Sequence, residues 1–294
     1  MLQTIKRKGI DMRKKLAVEI KRAQIGLITD IVYSQKPYWY ENSIKSLHLN
    51  LMKPRGKNPY PVIIWLCGGA WKMMDKDYHM PEMVYLAEHG FAVASVEYRM
   101  TNEAQFPGQI EDVKEAIRFL RAHSKDFCLN PEKFGIMGES AGGYLAVLAG
   151  TTGETTIFDK GSNLEYSSRV QAVCDWYGPI DFIDFARENN GYPASPEALL
   201  LGGAADVNQE IALQANPCTY LTPQTPPMMI LHGNEDDTVP FRQSEQLYEQ
   251  LCSNGTPVEF YELEKAGHAD RHFVQPQIRE LILNFFQKNL VVSV

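Results

Sequence analysis

Residue 140 is a serine held inside Gly138-Glu139-Ser140-Ala141-Gly142, between the apolar runs "KFGIM" and "AGGYLAVLAG". A serine on a tight strand-to-helix turn takes a strained backbone conformation, and the residues two before and two after it crowd together, so both need to be small. Gly138 and Gly142 meet that need. The elbow lifts the Ser140 hydroxyl clear of the sheet edge and sets the Ala141 N–H at a helix N-terminus, where developing negative charge is favoured. The chemistry on offer is nucleophilic attack on a carbonyl carbon.

A neutral serine is a weak nucleophile and needs a base, normally a histidine oriented by a carboxylate. The chain supplies both later, in the order Ser, acid, His. "MMILHGNEDDTVPF" ends a strand and presents Glu235, Asp236 and Asp237, and "VEFYELEKAGHAD" ends another and presents His268. Both segments lie at C-terminal strand ends, where open α/β sheets hold their sites. Ser140 and Asp236 are 96 residues apart and Asp236 and His268 are 32 apart, so the three meet only by folding. An imidazole near its ordinary pKa of about 6.5 predicts activity that rises through mildly acidic pH. His268 and His272 also stand at i, i+4, a spacing that binds metal on a helix. The glutamate of HExxH and any further ligand cluster are missing, so neither a metal nor an organic cofactor is expected. His232 is expected to bond within its own loop.

The elements that must carry these groups alternate. "SIKSLHLNLMKP" and "YPVIIWLCGGAW" read as strands, "MPEMVYLAEHG" as a helix ending at Gly90, "FAVASVEYR" as a strand, and "QIEDVKEAIRFLRAHS" as an amphipathic helix before "KFGIMG". Strands at "VQAVCDWYG", "PMMILHG" and "VEFYELE", helical "SEQLYEQLCSN" and a closing "QIRELILNFFQKNL" complete the pattern. The fold class is α/β, a mostly parallel sheet with helices on both faces. Residues 181–227, rich in Pro, Gly and Asn, are too long for an ordinary connection and are expected to form a small cap or lid with short helices. The competing reading is a surface decoration that does not touch substrate.

The 294 residues carry a net charge of −7, but residues 1–24 hold eight Lys or Arg against Asp11 and Glu19, leaving −13 on the remainder. Residues 1–30 are accordingly read as a basic helical segment and 31–294 as the main domain. The start lacks the apolar stretch of a secretory signal, no run could span a bilayer, and the acidic remainder excludes nucleic acid as an expected partner. Five scattered cysteines without CxxC pairs argue against a disulfide framework and for a reducing, cytoplasmic setting. Self-association is left open.

GESAGG, the HGxxDxxVP pattern from His232 to Pro240 and the terminal AGH resemble the α/β-hydrolase superfamily, more narrowly the lipase and esterase branch containing bacterial acetyl-xylan and feruloyl esterases. "CGGAW", "SVEYR", "FPGQIEDVKEAIRFL", "WYGPIDF" and "LLGG" add to the likeness, which spans about Ile44 to Phe286. The resemblance implies Ser140 as nucleophile, Asp236 over its two acidic neighbours as the orienting carboxylate, and His268 as base. It also implies an oxyanion hole in which Gly69 and Ala70 join Ala141. Trp71, Glu139 and His272 are candidate substrate contacts. The chain departs from the branch's HGGGW at Cys67 and Ala70, so another hydrogen bond must hold that loop. Cys67 itself reads as a small apolar filler more readily than as a reactive thiol. The resemblance implies a serine carboxylesterase acting on short acyl or feruloyl esters of plant-carbohydrate fragments, with the aromatic segments "YWYENS" and "NNGYP" available for stacking. The alternatives are a formamidase- or peptidase-type amide hydrolase and a catalytically silent binder of a small ligand.

Overall fold

The computed structural model describes residues 15–38, 42–188 and 195–291. Eight strands form one sheet: β1 (Ile25–Pro37), β2 (Ile44–Pro54), β3 (Tyr60–Leu66), β4 (Ala92–Val96), β5 (Leu129–Glu139), β6 (Ala172–Trp176), β7 (Met228–Gly233) and β8 (Val258–Leu263). Their spatial order is β1-β2-β4-β3-β5-β6-β7-β8. The pairs β1/β2 and β2/β4 are antiparallel and every other pair is parallel.

The central strands are apolar without interruption because both faces are covered. Along β3 the period of two divides the side chains between two cores. Val62, Ile64 and Leu66 join one, while Ile63, Trp65 and the following Cys67 join the other. The covering helices are α1 (Met80–Glu88), α2 (Gly108–Ala122), the short α3 (Ser124–Phe127), α4 (Ala141–Thr151), α8 (Arg242–Asn254) and α9 (Pro276–Phe286). Every residue of α4 is buried, which explains its lack of a polar face.

The excursion after β6 does hold short helices: α5 (Phe182–Glu188), α6 (Pro196–Leu201), α7 (Gln209–Ala215) and a 3-10 turn at Pro217–Tyr220. It is pinned to the body. The Phe106 N–H donates to Leu200 O at 2.8 Å, the Tyr144 hydroxyl donates to Ala215 O at 2.8 Å, and Phe182 packs edge-on against Trp71.

The expectation for residues 1–30 needs correction. Residues 15–24 have no regular secondary structure, and residues 25–30 open β1, which the sheet claims as its first strand. Pairing with β2 settled the outcome there, since a strand beside an existing edge gains a ladder of hydrogen bonds that a solvated helix lacks. Residues 1–14, the Trp39, Tyr40 and Glu41 of "YWYENS" and all of "NNGYP" lie outside the described residues. Among the described residues, no helix is long and apolar enough to cross a membrane.

Candidate active site

Four strand ends supply the site. Ser140 directly follows β5, residues 67–71 follow β3, Asp236 follows β7 and His268 follows β8. Ser140 takes φ 51° and ψ −120°, a conformation that costs on the order of 1–3 kcal/mol and persists because its surroundings dictate it. A side chain on Gly142 would run into the Leu66 carbonyl, and one on Gly138 into the backbone of Gly142, so the turn closes only with glycine at both positions. The Ser140 N–H donates to Trp176 O at 2.8 Å, tying the elbow to β6.

The three groups expected to work together do converge. His268 Nε2 lies 3.0 Å from Ser140 Oγ, and His268 Nδ1 lies 2.8 Å from Asp236 Oδ2. A carboxylate on Nδ1 holds the proton on that nitrogen, leaving Nε2 to accept from the serine hydroxyl. Asp237 and Glu235 take no part in this chain. Asp236 Oδ1 also accepts the N–H groups of Thr238 and Val239, at 2.9 and 2.8 Å. His232 sits fully buried with Nε2 3.0 Å from Val239 O and 3.2 Å from Asp236 Oδ2, and Nδ1 2.7 Å from Ser244 Oγ. Burial alone would raise the Asp236 pKa. Hydrogen bonds from His232, His268 and Val239, with the attraction of His268, outweigh it and hold the carboxyl well below its ordinary range. Asp236 is therefore an anion throughout the neutral range.

The loop after β3 makes a close approach to the elbow: a Cβ on Gly68 would stand 3.1 Å from Ser140 Cβ. Gly69 takes φ +120°, a region L side chains rarely adopt, whereas Ala70 at φ 57° stays in the left-handed basin that alanine enters at a modest cost. The bond that must replace the missing loop histidine comes from two places. Glu139 Oε1 accepts the Gly68 N–H at 3.2 Å, and the Tyr98 hydroxyl donates to Cys67 O at 2.6 Å. Cys67 is buried, and burial followed by the charge of Glu139 pushes its thiol up to about 12, as suits a filler.

Glu139 is thus turned beneath the oxyanion loop and not toward the serine hydroxyl. Its Oε2 accepts from the Tyr177 hydroxyl at 2.8 Å, and the Tyr177 ring packs edge-on against His268 with centroids 4.7 Å apart. His79 Nε2 lies 2.9 Å from Glu139 Oε1, an ion-pair contact whose angle falls short of a good hydrogen bond. Burial opposes charging His79, but Glu139 and Glu82 prevail and lift its pKa to about 9. His272 instead bonds Asp270, Nδ1 to Oδ1 at 2.6 Å. The i, i+4 spacing of the two histidines is not helical here, and both His268 nitrogens face Ser140 and Asp236. Among the described residues, no three His, Cys, Asp or Glu side chains cluster as a metal site.

Glu139→Gln, which weakens the acceptor for Gly68 N–H and leaves His79 without its main counter-ion, is expected to lower kcat by roughly 10-fold or more with little change in KM. The same variant should alter stability against pH. A histidine raised to about 9 contributes stability that is complete below its unfolded pKa of about 6.5 and lost as pH rises through 9. Chemical denaturation at pH 6 and pH 9.5 should therefore show a smaller alkaline loss in the variant than in the wild type. An equal loss would refute the assigned role of the ion pair.

A cavity of about 250 Å³ opens on Ser140 and Ala141, with Ala70, Trp71 and Val239 among its walls. The excursion contributes Phe185, Ser195, Pro196 and Glu197 to the same cavity, so it forms part of the site's wall. Of the residues expected near the serine, Trp71 is there, while Glu139 lines a second cavity with His79, Tyr177 and Arg279.

A serine hydroxyl, an imidazole and a carboxylate in contact beneath a loop of amides can carry out acyl transfer. The family model described as BD-FAE matches residues 49–251. The chain belongs to the BD-FAE family. This BD-FAE chain is 33% identical over 213 residues to a probable carboxylic ester hydrolase, LipM, of Mycobacterium tuberculosis (strain ATCC 25618 / H37Rv), covering 71% of this chain and 49% of that protein. It spans about half the length of such curated relatives. Among solved structures, a truncated form of a carbohydrate esterase from gut microbiota superposes with a TM-score of 0.82 at 28% identity, over 91% of this chain and 97% of that one. A bifunctional GH43-CE protein of Bacteroides eggerthii superposes at 0.79 and 32% identity, over 90% of this chain and 38% of that one. The BD-FAE chain has the α/β-hydrolase fold.

Proposed function

We propose that the chain is a serine carboxylic ester hydrolase acting on short acyl or feruloyl esters of plant-carbohydrate fragments. The observation that carries this reading is the unbroken contact from Ser140 Oγ to His268 Nε2 and from His268 Nδ1 to Asp236 Oδ2. Ser140 Oγ attacks the ester carbonyl while His268 Nε2 takes its proton, and the oxygen anion is received by backbone N–H groups of Ala141, Gly69 and Ala70. As the tetrahedral carbon collapses, the bond to the alcohol breaks and His268 returns the proton to it. Water then attacks the acyl-serine, again giving a proton to His268, and the second collapse releases the acid and restores Ser140.

The size of the cavity supports small esters. At about 250 Å³ it has room for an acetyl group or one ring beside the serine. The gut-microbiota carbohydrate esterase among its structural neighbours supports a sugar-bearing alcohol. The test is a panel of nitrophenyl esters of increasing chain length, acetylated xylo-oligosaccharides, methyl ferulate and N-formylkynurenine. Turnover that is greatest for acetyl or feruloyl esters is expected. Turnover of the formamide alone would replace this reading with the amide-hydrolase one.

A further inference from the structure

Two residues in the wall of the serine cavity carry buried polar groups that have no hydrogen-bond partner among the described residues. Glu197, at the start of α6, is 1% exposed, and both of its carboxylate oxygens are buried without a hydrogen bond among the described residues. Trp71, directly after the oxyanion loop, is 2% exposed, and its indole N–H is likewise buried and unbonded. Both residues line the cavity that holds Ser140, whose other walls are largely apolar. Burying a carboxyl group without a partner costs stability, so a chain that keeps one beside a nucleophile is giving up stability for something.

We propose that Glu197 and Trp71 form a recognition site for a hydroxyl group of the ester substrate. The chemistry of the pair selects the ligand class. Glu197 only accepts when ionised and the indole N–H only donates, so the matching ligand group must both donate and accept. A hydroxyl does both. An ammonium only donates and would leave the Trp71 N–H unmet, and a methoxy group only accepts and would leave the carboxylate unmet. Sites that hydrogen-bond a substrate hydroxyl reject analogues lacking it far more strongly than apolar pockets reject a missing methylene, because the site's own buried groups are then stranded. The hydroxyl can belong to the sugar on the alcohol side or to the phenol of a feruloyl-type acyl group, since the cavity adjoins the reacting carbon and both sources present the same group. The inference rests on the esterase reading above and makes it narrower.

The test uses matched pairs of esters on the full chain. Methyl 4-hydroxycinnamate against methyl cinnamate and methyl 4-methoxycinnamate probes an acyl-side hydroxyl. 2-Hydroxycyclohexyl acetate against cyclohexyl acetate and 2-aminocyclohexyl acetate probes one on the alcohol side. In the wild type, kcat/KM is expected to favour the hydroxylated member of one pair by at least about 10-fold. In Glu197→Leu that ratio should fall by roughly 10- to 100-fold, with Glu197→Gln, which keeps one acceptor oxygen, falling between the two. Because Glu197 has no hydrogen-bond partner to lose among the described residues, the Tm of Glu197→Leu should be equal to or above that of the wild type. The proposal is overturned by a ratio that stays unchanged in both variants, by a wild-type preference for the methoxy or ammonium member, or by a lowered Tm with equal loss on every ester. A wild type that hydrolyses none of the esters brings down the underlying reading and this inference together. One that hydrolyses them all without hydroxyl preference brings down only the inference.

Discussion

Ser140→Ala is expected to lower kcat on any substrate ester by roughly 10⁴-fold or more, leaving only what the oxyanion hole and binding provide. The size follows from the geometry. Removing Oγ deletes the atom that forms the acyl bond and leaves His268 Nε2 facing a methyl group where a hydroxyl stood 3.0 Å away. The strained backbone at residue 140 is dictated by Gly138, Gly142 and the β6 contact, so it should survive the change and the fold with it. Circular dichroism and Tm close to wild type, beside a collapsed kcat, is the pattern that separates a nucleophile from a packing residue. Activity within 10-fold of wild type would mean that another group performs the attack.

Asp236→Asn is expected to cost about 10⁴-fold in kcat for a different reason. The amide cannot hold the proton on His268 Nδ1 as the carboxylate does, so the imidazole loses the tautomer that leaves Nε2 able to accept from Ser140. The substitution also disturbs a second histidine, because Asp236 Oδ2 lies 3.2 Å from His232 Nε2 and an amide nitrogen placed there would meet an N–H. Stability should therefore fall together with activity, unlike in Ser140→Ala. The sign against pH is fixed. The folded pKa of Asp236 is depressed, so its contribution is present above the unfolded value of about 3.9 and is lost as pH falls toward the folded one. Denaturation midpoints of wild type and variant should differ at pH 7 and draw together below about pH 4. A kcat reduced by less than 10-fold would remove Asp236 from the proton path.

What could be read in the sequence and what could not divide along the distance between partners. The elbow is local: two glycines flank Ser140 within five residues, and strand and helix patterns bracket it, so its form follows from sterics alone. Asp236 and His268 lie beyond strands whose apolar runs are unmistakable, which places them at the correct sheet edge. The support of the oxyanion loop is different. Cys67 in place of a histidine signals that a replacement bond is needed, but Glu139 and Tyr98, which provide it, are 71 and 31 residues away. Glu139 stands next to the serine in sequence and reads as a substrate contact, yet its side chain turns the other way to meet Gly68, Tyr177 and His79. Strand β1 was hidden by the basic residues before it, and only its pairing with β2 decides its form. Glu197 stands in the first turn of α6, and only the folded cavity reveals that its carboxylate has no hydrogen-bond partner among the described residues.

The central claim is that Ser140 is a nucleophile activated by His268 and Asp236, and covalent labelling tests it most directly. The protein would be treated with a fluorophosphonate, digested and mapped by mass spectrometry, alongside Ser140→Ala and Asp236→Asn. The account predicts one adduct per chain on Ser140, formed rapidly in the wild type, much more slowly in Asp236→Asn and absent in Ser140→Ala. An adduct on another residue, or ester turnover by a wild-type chain that never labels at Ser140, would contradict it.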